Sequence, residues 1–161
     1  MVGSQVRVTL SLIAPALLLI FGLTFLAIWF FFQRKRFLLH LAAGCMTFAC
    51  GAISQVLYVP RDTGLNALVS GFLYTAAGCL VVQGVLERAR IRVPWAAFAL
   101  YAATIMGALW YFFYVDRNLL VRVYVLNAGF GLLFCYAAWR MRRSSRQRQI
   151  DKALFFAVLL F

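Results

Sequence analysis

Long runs without a charged residue limit what this chain can fold into more than any other feature of its sequence. The runs are Val8–Phe32, Phe37–Pro60, Thr63–Leu86, Val93–Val115 and Val123–Trp139. The first four contain 25, 24, 24 and 23 residues. The fifth contains 17, or 21 if the span begins at Leu119 and the Arg122 side chain reaches outward. About 20 helical residues cross the hydrocarbon core of a bilayer. The runs therefore predict five membrane-spanning helices.

The composition supports the same fold class. Of the 161 residues, 65% are hydrophobic and 12% are charged, whereas about 25% of a soluble domain is charged. No alternation of apolar and polar residues extends over the length of a strand. We predict an all-α, polytopic integral membrane helical bundle that forms one membrane domain over residues 1–161. The predicted helices cover about 8–32, 37–60, 65–86, 93–115 and 119–139, and 153–161 is a truncated sixth.

The last nine residues, 153–161, are all apolar. As a helix they reach about 14 Å, half the thickness of a bilayer. A helix that ended there would leave four carbonyl groups without partners in hydrocarbon. We therefore interpret 153–161 as the first half of a sixth helix. With the N-terminus outside, as the charges indicate, this helix runs outward, so we expect a seventh helix that returns the chain of the intact protein to the cytoplasm.

The cations alternate along the chain and predict its orientation. Lys and Arg number one before the first helix, and three, one, three, two and six after the successive helices. By the positive-inside rule, the cation-rich segments are cytoplasmic and the N-terminus is outside. We expect a multi-pass membrane protein. The net charge of +12 then indicates contact with anionic lipid of the bilayer, and we expect no nucleic-acid partner.

No residue pattern indicates catalysis, a metal or a cofactor. His40 is the only histidine, and the four cysteines have no ligand spacing. We expect His40 to form a hydrogen bond at the membrane interface. All four acidic residues lie in loops or at helix ends, whereas an ion-coupled transporter usually has an acid inside a span. The sequence therefore predicts neither a catalytic nor a metal site.

Polar and aromatic residues gather where the second and fourth predicted helices end, at the predicted outer face. Tyr74 lies a little deeper, in the third helix. One interpretation is a pocket for a small extracytoplasmic ligand, because polar groups in spans usually face a cavity. The other is anchoring at the lipid interface, where Trp and Tyr are common. The candidate ligand-binding residues are Gln55, Tyr58, Asn66, Trp110, Tyr114, Arg122, Tyr124 and Asn127.

Small residues recur at every fourth position in three of the predicted helices. In lipid, such stripes let helices approach closely. They predict a packed bundle or a dimer and do not distinguish the two. The stripes are Ala43/Thr47/Gly51, Gly71/Thr75/Cys79 and Ala99/Ala103/Gly107.

Two stretches resemble the membrane region of a known family. They are SQVLYVPRDTGLNA at 54–67 and YFFYVDRNLLVRVYVLNAGFG at 111–131. They resemble the second-to-third and fourth-to-fifth helix turns in one group of bacterial membrane-anchored diguanylate cyclases. In that group, a multi-helix membrane region anchors the protein, serves as its sensor, and precedes a cytoplasmic GGDEF domain. That domain condenses two GTP into cyclic di-GMP as a dimer.

The resemblance implies that this chain is the membrane anchoring and signal-input region of such a receptor, which would be a homodimer in the bacterial inner membrane. It supplies no ligand-binding residues, and these 161 residues contain no GGDEF sequence. Two alternatives stay open: a small stand-alone transporter or channel subunit, and a membrane scaffold without a ligand.

Overall fold

A computed structural model describes residues 2–31, 34–116 and 118–143 of the protein. Within these ranges the chain forms helices and no strands. The helices are α1 (Val2–Phe31), α2 (Arg36–Leu57), α3 (Thr63–Arg88), α4 (Trp95–Tyr114) and α5 (Leu119–Arg143). Each of the five is long and apolar enough to cross a membrane. The predicted all-α architecture with five such helices is confirmed, and the predicted sixth segment, 153–161, lies outside the described residues.

The ends of α2 and α3 differ from the predicted bounds for local reasons. α2 ends at Leu57, three residues earlier than predicted, because Tyr58 adopts a left-handed conformation with φ 55°. α3 begins at Thr63, two residues earlier than predicted, because the Asp62 side chain caps it by accepting from the Leu65 N–H at 2.9 Å. Capping of this kind satisfies a backbone donor that has no partner within the helix.

The other helices differ from prediction mainly in length. α1 starts at Val2, six residues before the predicted position, and α5 continues to Arg143, four residues past it. A helix does not have to stop where the hydrocarbon ends, and the charge-free run marks only its apolar part. α4 is slightly shorter than predicted, with Pro94 as its N-cap residue. Proline suits such a position because its missing N–H has no helical partner there.

α3 is the central helix of the described bundle. It packs against α2, α4 and α5, while α1 contacts only α2 among the described elements. Contacting residues of successive helices lie at similar distances in sequence from the turn that joins the two helices. Gly22 lies against Met46, Gly44 lies against Val81, and Gly129 lies against Ile105. Successive helices are therefore antiparallel, and the turns alternate between the two ends of the bundle.

We call the end that carries the α2–α3 and α4–α5 turns the upper end, and the opposite end the lower end. Gly64 brings the two upper turns together, because a Cβ atom there would lie 2.8 Å from both the Phe113 ring and the Tyr114 hydroxyl. The start of α3 therefore touches the end of α4. This contact places the two stretches 54–67 and 111–131 side by side.

Two of the three small-residue stripes pack inside the bundle, and the third does not. A Cβ atom at Gly51 would approach Leu73 and Tyr74 of α3 at 3.1 Å, and one at Gly71 would approach Leu109 of α4 at 2.8 Å. The α4 stripe, Ala99/Ala103/Gly107, is exposed. A Cβ atom at Gly107 would meet no described atom within 4 Å.

The lower half of the bundle contains its densest core. Buried side chains from α3, α5, the start of α4 and the turn before it form one cluster. Leu86 is fully buried and Met141 is only 1% exposed. The cluster consists of Cys79, Val82, Val85, Leu86, Val93, Phe98, Leu133, Ala137 and Met141. It holds α3, α4 and α5 together at the end opposite to the upper turns.

The lower end also has a histidine–glutamate contact between α2 and α3. His40 Nδ1 lies 2.9 Å from Glu87 Oε2 and 3.2 Å from the Arg36 carbonyl oxygen. Glu87 Oε2 itself has no hydrogen-bond partner among the described residues. The His40 ring also packs at 5.8 Å from the Trp95 ring. His40 therefore connects three helices at the end of the bundle.

Candidate functional site

A cavity of about 150 Å³ lies between α3, α4 and α5 in the upper half of the bundle. Most of its wall is apolar, and its polar groups come from Gln55, Ser70, Tyr74 and Arg122. The lining residues are Gln55, Ala67, Leu68, Ser70, Gly71, Tyr74, Leu109, Phe113, Leu119, Arg122, Val123 and Leu126. A concave apolar site with a few polar groups is the usual form of a small-molecule site.

Helical spacing brings the lining residues to the cavity. Ala67, Gly71 and Tyr74 lie three or four positions apart on α3, and Leu119, Arg122 and Leu126 do so on α5. Residues with this spacing share one face of a helix. The wall is therefore formed by two facing helix stripes, which α4 closes from the side.

Arg122 is the one cation among the residues that line the cavity. Its guanidinium carbon lies 4.6 Å from the centre of the Phe113 ring, in a cation–π contact. Its Nε atom is buried and has no hydrogen-bond partner among the described residues. Neither Asp62 nor Asp116, the described acids of the upper end, forms an ion pair with it. Within the described part of the chain, its charge has no counter-charge.

The backbone around Arg122 is held by the start of α5. The Asn118 side chain accepts from the Val121 N–H at 3.3 Å, and the Asn118 carbonyl accepts from the Arg122 N–H at 3.3 Å. Arg122 thus lies in the first turn of a capped helix, where the helix dipole favours negative charge. An anion near Arg122 would gain from both the side chain and the dipole.

Gln55 and Tyr74 form a hydrogen-bonded pair on the wall of the cavity. The Tyr74 hydroxyl donates to Gln55 Oε1 at 2.8 Å and so joins α2 to α3. The Tyr74 ring also packs against Phe48, with 4.7 Å between ring centres. Because the Gln55 oxygen is already used, its NH₂ group is the part that a ligand can contact. Ser70 is less available, since its hydroxyl donates to the Asn66 carbonyl at 2.8 Å.

Two of the eight candidate ligand-binding residues, Gln55 and Arg122, line the cavity. Tyr58 and Asn66 instead build the turn between α2 and α3. Asn66 is 5% exposed, and its Nδ2 atom donates to the Ser54 carbonyl at 3.0 Å. Tyr58 caps α2, and its hydroxyl is hydrogen-bonded to Thr63. These two residues hold the α2–α3 turn and do not face the cavity.

The remaining four candidates lie on the outside of the bundle. Trp110 and Tyr114 are about half exposed, and their rings pack 5.9 Å apart on the surface of α4. Tyr124 is 70% exposed and lies on the face of α5 opposite to Arg122. Asn127 is also exposed. Exposed Trp and Tyr side chains at one level suit the lipid-interface interpretation of this part of the cluster.

Sequence reasoning missed Ser70 and Phe113 as cavity residues. Ser70 lies between two apolar neighbours on α3, and Phe113 is one of several consecutive aromatic residues. The four-residue spacing of Ser70 from Tyr74 is a signal that could have placed the two on one face. Nothing in the sequence distinguishes Phe113 from Phe112, because only the packing of α4 on α5 selects the ring beneath Arg122.

No family model, curated protein or solved structure matches this chain. The resemblance of residues 54–67 and 111–131 to diguanylate cyclase membrane regions therefore stays a prediction.

Proposed function

We propose that this chain is the membrane-anchoring and signal-input region of a diguanylate cyclase-like receptor, and that the upper cavity is its sensing site. One observation carries the proposal. Seven of the 12 residues that line the cavity belong to the two stretches that resemble this family. They are Gln55 and Ala67 from 54–67, and Phe113, Leu119, Arg122, Val123 and Leu126 from 111–131.

The position of the cavity suits a sensor. Its wall comes mainly from α3, α4 and α5, with Gln55 added from α2, so a bound molecule contacts the upper parts of these helices. α5 runs from this wall over 25 residues to the lower end, about 37 Å away. A ligand that binds one packing of these helices more tightly than another shifts the population between them. Helix shifts of about 1–2 Å are typical of such transitions.

The proposal includes an orientation, with the upper end outside the cell and the lower end in the cytoplasm. In a cysteine-free background, we expect Thr63→Cys at the upper end to react with a membrane-impermeant maleimide in intact cells. Arg92→Cys, which is exposed in the turn at the lower end, should react only after permeabilisation. The reverse labelling pattern would show that the lower end faces the outside and would contradict the proposed orientation.

Filling the cavity tests the sensing role. In the full-length receptor, we expect Ala67→Leu and Val123→Phe to change the cellular level of cyclic di-GMP at least about threefold, a shift of less than 1 kcal/mol between two states. Both residues line the cavity. The matched control is Ala103→Leu, which enlarges an exposed residue of α4 and should leave the level unchanged.

The same variants separate the alternatives. If both cavity variants reach the membrane in normal amounts and leave cyclic di-GMP unchanged, the cavity is not a sensing site. If the purified protein moves a solute across proteoliposomes and the cavity variants stop that movement, the chain is a transporter or channel subunit. Equal effects of Ala103→Leu and Ala67→Leu would indicate a general disturbance of the bundle.

A further inference from the structure

We propose that the upper cavity binds a small organic carboxylate whose apolar body is about the size of one six-membered ring, with Arg122 as the group that holds the carboxylate. This inference rests on the proposed function for the choice of the cavity as a sensing site, and it adds the chemical class of the ligand.

The volume and the wall of the cavity set the apolar part of the ligand. A dry cavity of about 150 Å³ lined by aliphatic and aromatic side chains can hold one benzene molecule. The upper cavity has this volume, and Leu68, Leu109, Val123 and Leu126 supply most of its apolar wall together with Phe113. The cavity is open on the side of Leu119 and Val123, which are 64% and 51% exposed, and its apolar wall does not suit a nucleotide or a sugar. A single ring or a short branched chain fits it.

The charge of the ligand follows from Arg122. Arg122 lines the cavity and is partly exposed, and no described acid forms an ion pair with it. The Phe113 ring, whose centre lies 4.6 Å from the guanidinium carbon, restrains the guanidinium group on one side. A planar carboxylate matches a planar guanidinium through two parallel hydrogen bonds. A ligand with one carboxylate would therefore supply the counter-charge that Arg122 lacks among the described residues.

A monoanion suits the site better than a phosphate. Arg122 is the one cation in the wall, and the acids Asp62 and Asp116 do not line the cavity. A phosphate ester carries nearly two charges, and a second charge buried without a partner is costly. The NH₂ group of Gln55 offers a further neutral donor on the same wall. One full cation and one neutral donor match one carboxylate.

Benzoate is the probe that tests the proposal. We expect benzoate to bind to the purified full-length protein in nanodiscs, in a titration followed by ¹³C NMR of labelled benzoate. Arg122→Gln should weaken binding at least about tenfold, because hydrogen bonds to charged groups are worth roughly 1.5–3 kcal/mol. Benzamide has nearly the same shape without the charge, and it should bind the wild-type protein at least about tenfold more weakly than benzoate does.

Arg140→Gln is the matched control. Arg140 lies on the same helix at the lower end, and its Nε atom is also buried without a partner among the described residues. This variant removes the same charge from the protein without touching the cavity, so it should bind benzoate as the wild type does. Arg122→Lys keeps the charge without the planar fork. It should bind more weakly than the wild type and more tightly than Arg122→Gln, and it tests the site if Arg122→Gln fails to fold.

Three results would overturn the proposal. The first is an absence of benzoate binding to the wild-type protein. The second is equal binding of benzoate and benzamide, which would mean that the cavity selects only for apolar bulk. The third is an equal loss in Arg122→Gln and Arg140→Gln, which would mean that net charge attracts the anion without a site. A parallel titration with octanoate tests whether the ligand is a fatty acid. We expect octanoate to bind less tightly than benzoate.

Benzoate binding tests the ligand class, and cyclic di-GMP levels test the sensing role, so either claim can fail without the other. If benzoate binding depends on Arg122 while Ala67→Leu leaves cyclic di-GMP unchanged, the ligand class stands and the sensing role is wrong. If Ala67→Leu changes cyclic di-GMP and benzoate does not bind, the sensing role stands and the ligand class is wrong.

Discussion

Replacing Gly44 with leucine is expected to lower the free energy of unfolding by about 3 kcal/mol, the upper part of the usual range for overpacking. A Cβ atom at this position would lie 2.7 Å from Val81 Cγ2. It would also lie 3.2 Å from two backbone atoms of α3, the Ala77 carbonyl oxygen and the Val81 nitrogen. A side chain can turn away from such a contact, but the backbone of α3 cannot. α2 and α3 would therefore have to separate along their length.

Gly107→Leu is the control for this substitution. Gly107 lies within α4, and a Cβ atom there meets no described atom within 4 Å. Leucine is also a better helix former than glycine by up to about 1 kcal/mol. Unfolding of both variants in SDS titrations should show a large loss of stability for Gly44→Leu and none for Gly107→Leu. Equal losses would mean that the close approach of α2 and α3 is not what stabilises the bundle.

Replacing Leu86 with alanine is expected to have the second largest effect on stability, a loss of about 2–3 kcal/mol. Leu86 is fully buried in the lower core among Val82, Phe98 and Met141. Its truncation would leave a cavity whose walls lose their contacts, and Leu→Ala changes of this kind cost 2–5 kcal/mol in soluble cores. For a helix proposed to lie in lipid, the lower part of that range applies, because lipid replaces water as the alternative surroundings.

Leu100→Ala is the control for the truncation. Leu100 lies on α4 and is 71% exposed, so the change removes the same atoms from the outer surface. In the SDS titration, Leu100→Ala should lower the free energy of unfolding by less than about 0.5 kcal/mol, as for surface substitutions in general. A loss for Leu100→Ala as large as that for Leu86→Ala would show that the exposed face of α4 is packed against another molecule.

The dense lower core and the upper cavity have complementary roles in the proposed sensor. Below, buried side chains from Cys79 to Met141 hold α3, α4 and α5 in one arrangement. Above, a cavity of about 150 Å³ lies between the same three helices. A structure that is tightly packed at one end and open at the other lets a ligand change helix spacing locally without unfolding the bundle.

Much of the fold could be predicted from the sequence because the physical reason is local. A charge within a lipid-facing run is costly, so the positions of Arg61 and Asp62, or of Glu87 and Arg88, show where helices end. The predicted bounds were wrong by two to six residues at several ends. Those differences come from capping by Asp62, from the left-handed Tyr58, and from polar turns that continue α1 and α5 beyond the apolar part.

The candidate site could be predicted only in part. Gln55 and Arg122 were predicted because a polar group in or beside an apolar run needs a partner or a cavity. The same argument selected Asn127, which lies on the outside of the bundle. Asn66 was a candidate because it lies beside the α2–α3 turn, and its side chain holds that turn. Polarity shows that a residue needs a partner, but it does not show in which direction the residue points.

Five long apolar helices could be predicted from local sequence alone, because the cost of a charge in hydrocarbon acts on each residue independently of its neighbours in space. The central place of α3, the burial of the Gly71 stripe but not of the Gly107 stripe, and the cation–π contact of Arg122 with Phe113 beside a cavity are visible only in the folded protein. These features depend on the rotation of each helix about its axis. That rotation is set by how side chains from distant parts of the chain fit together, and no local pattern encodes it.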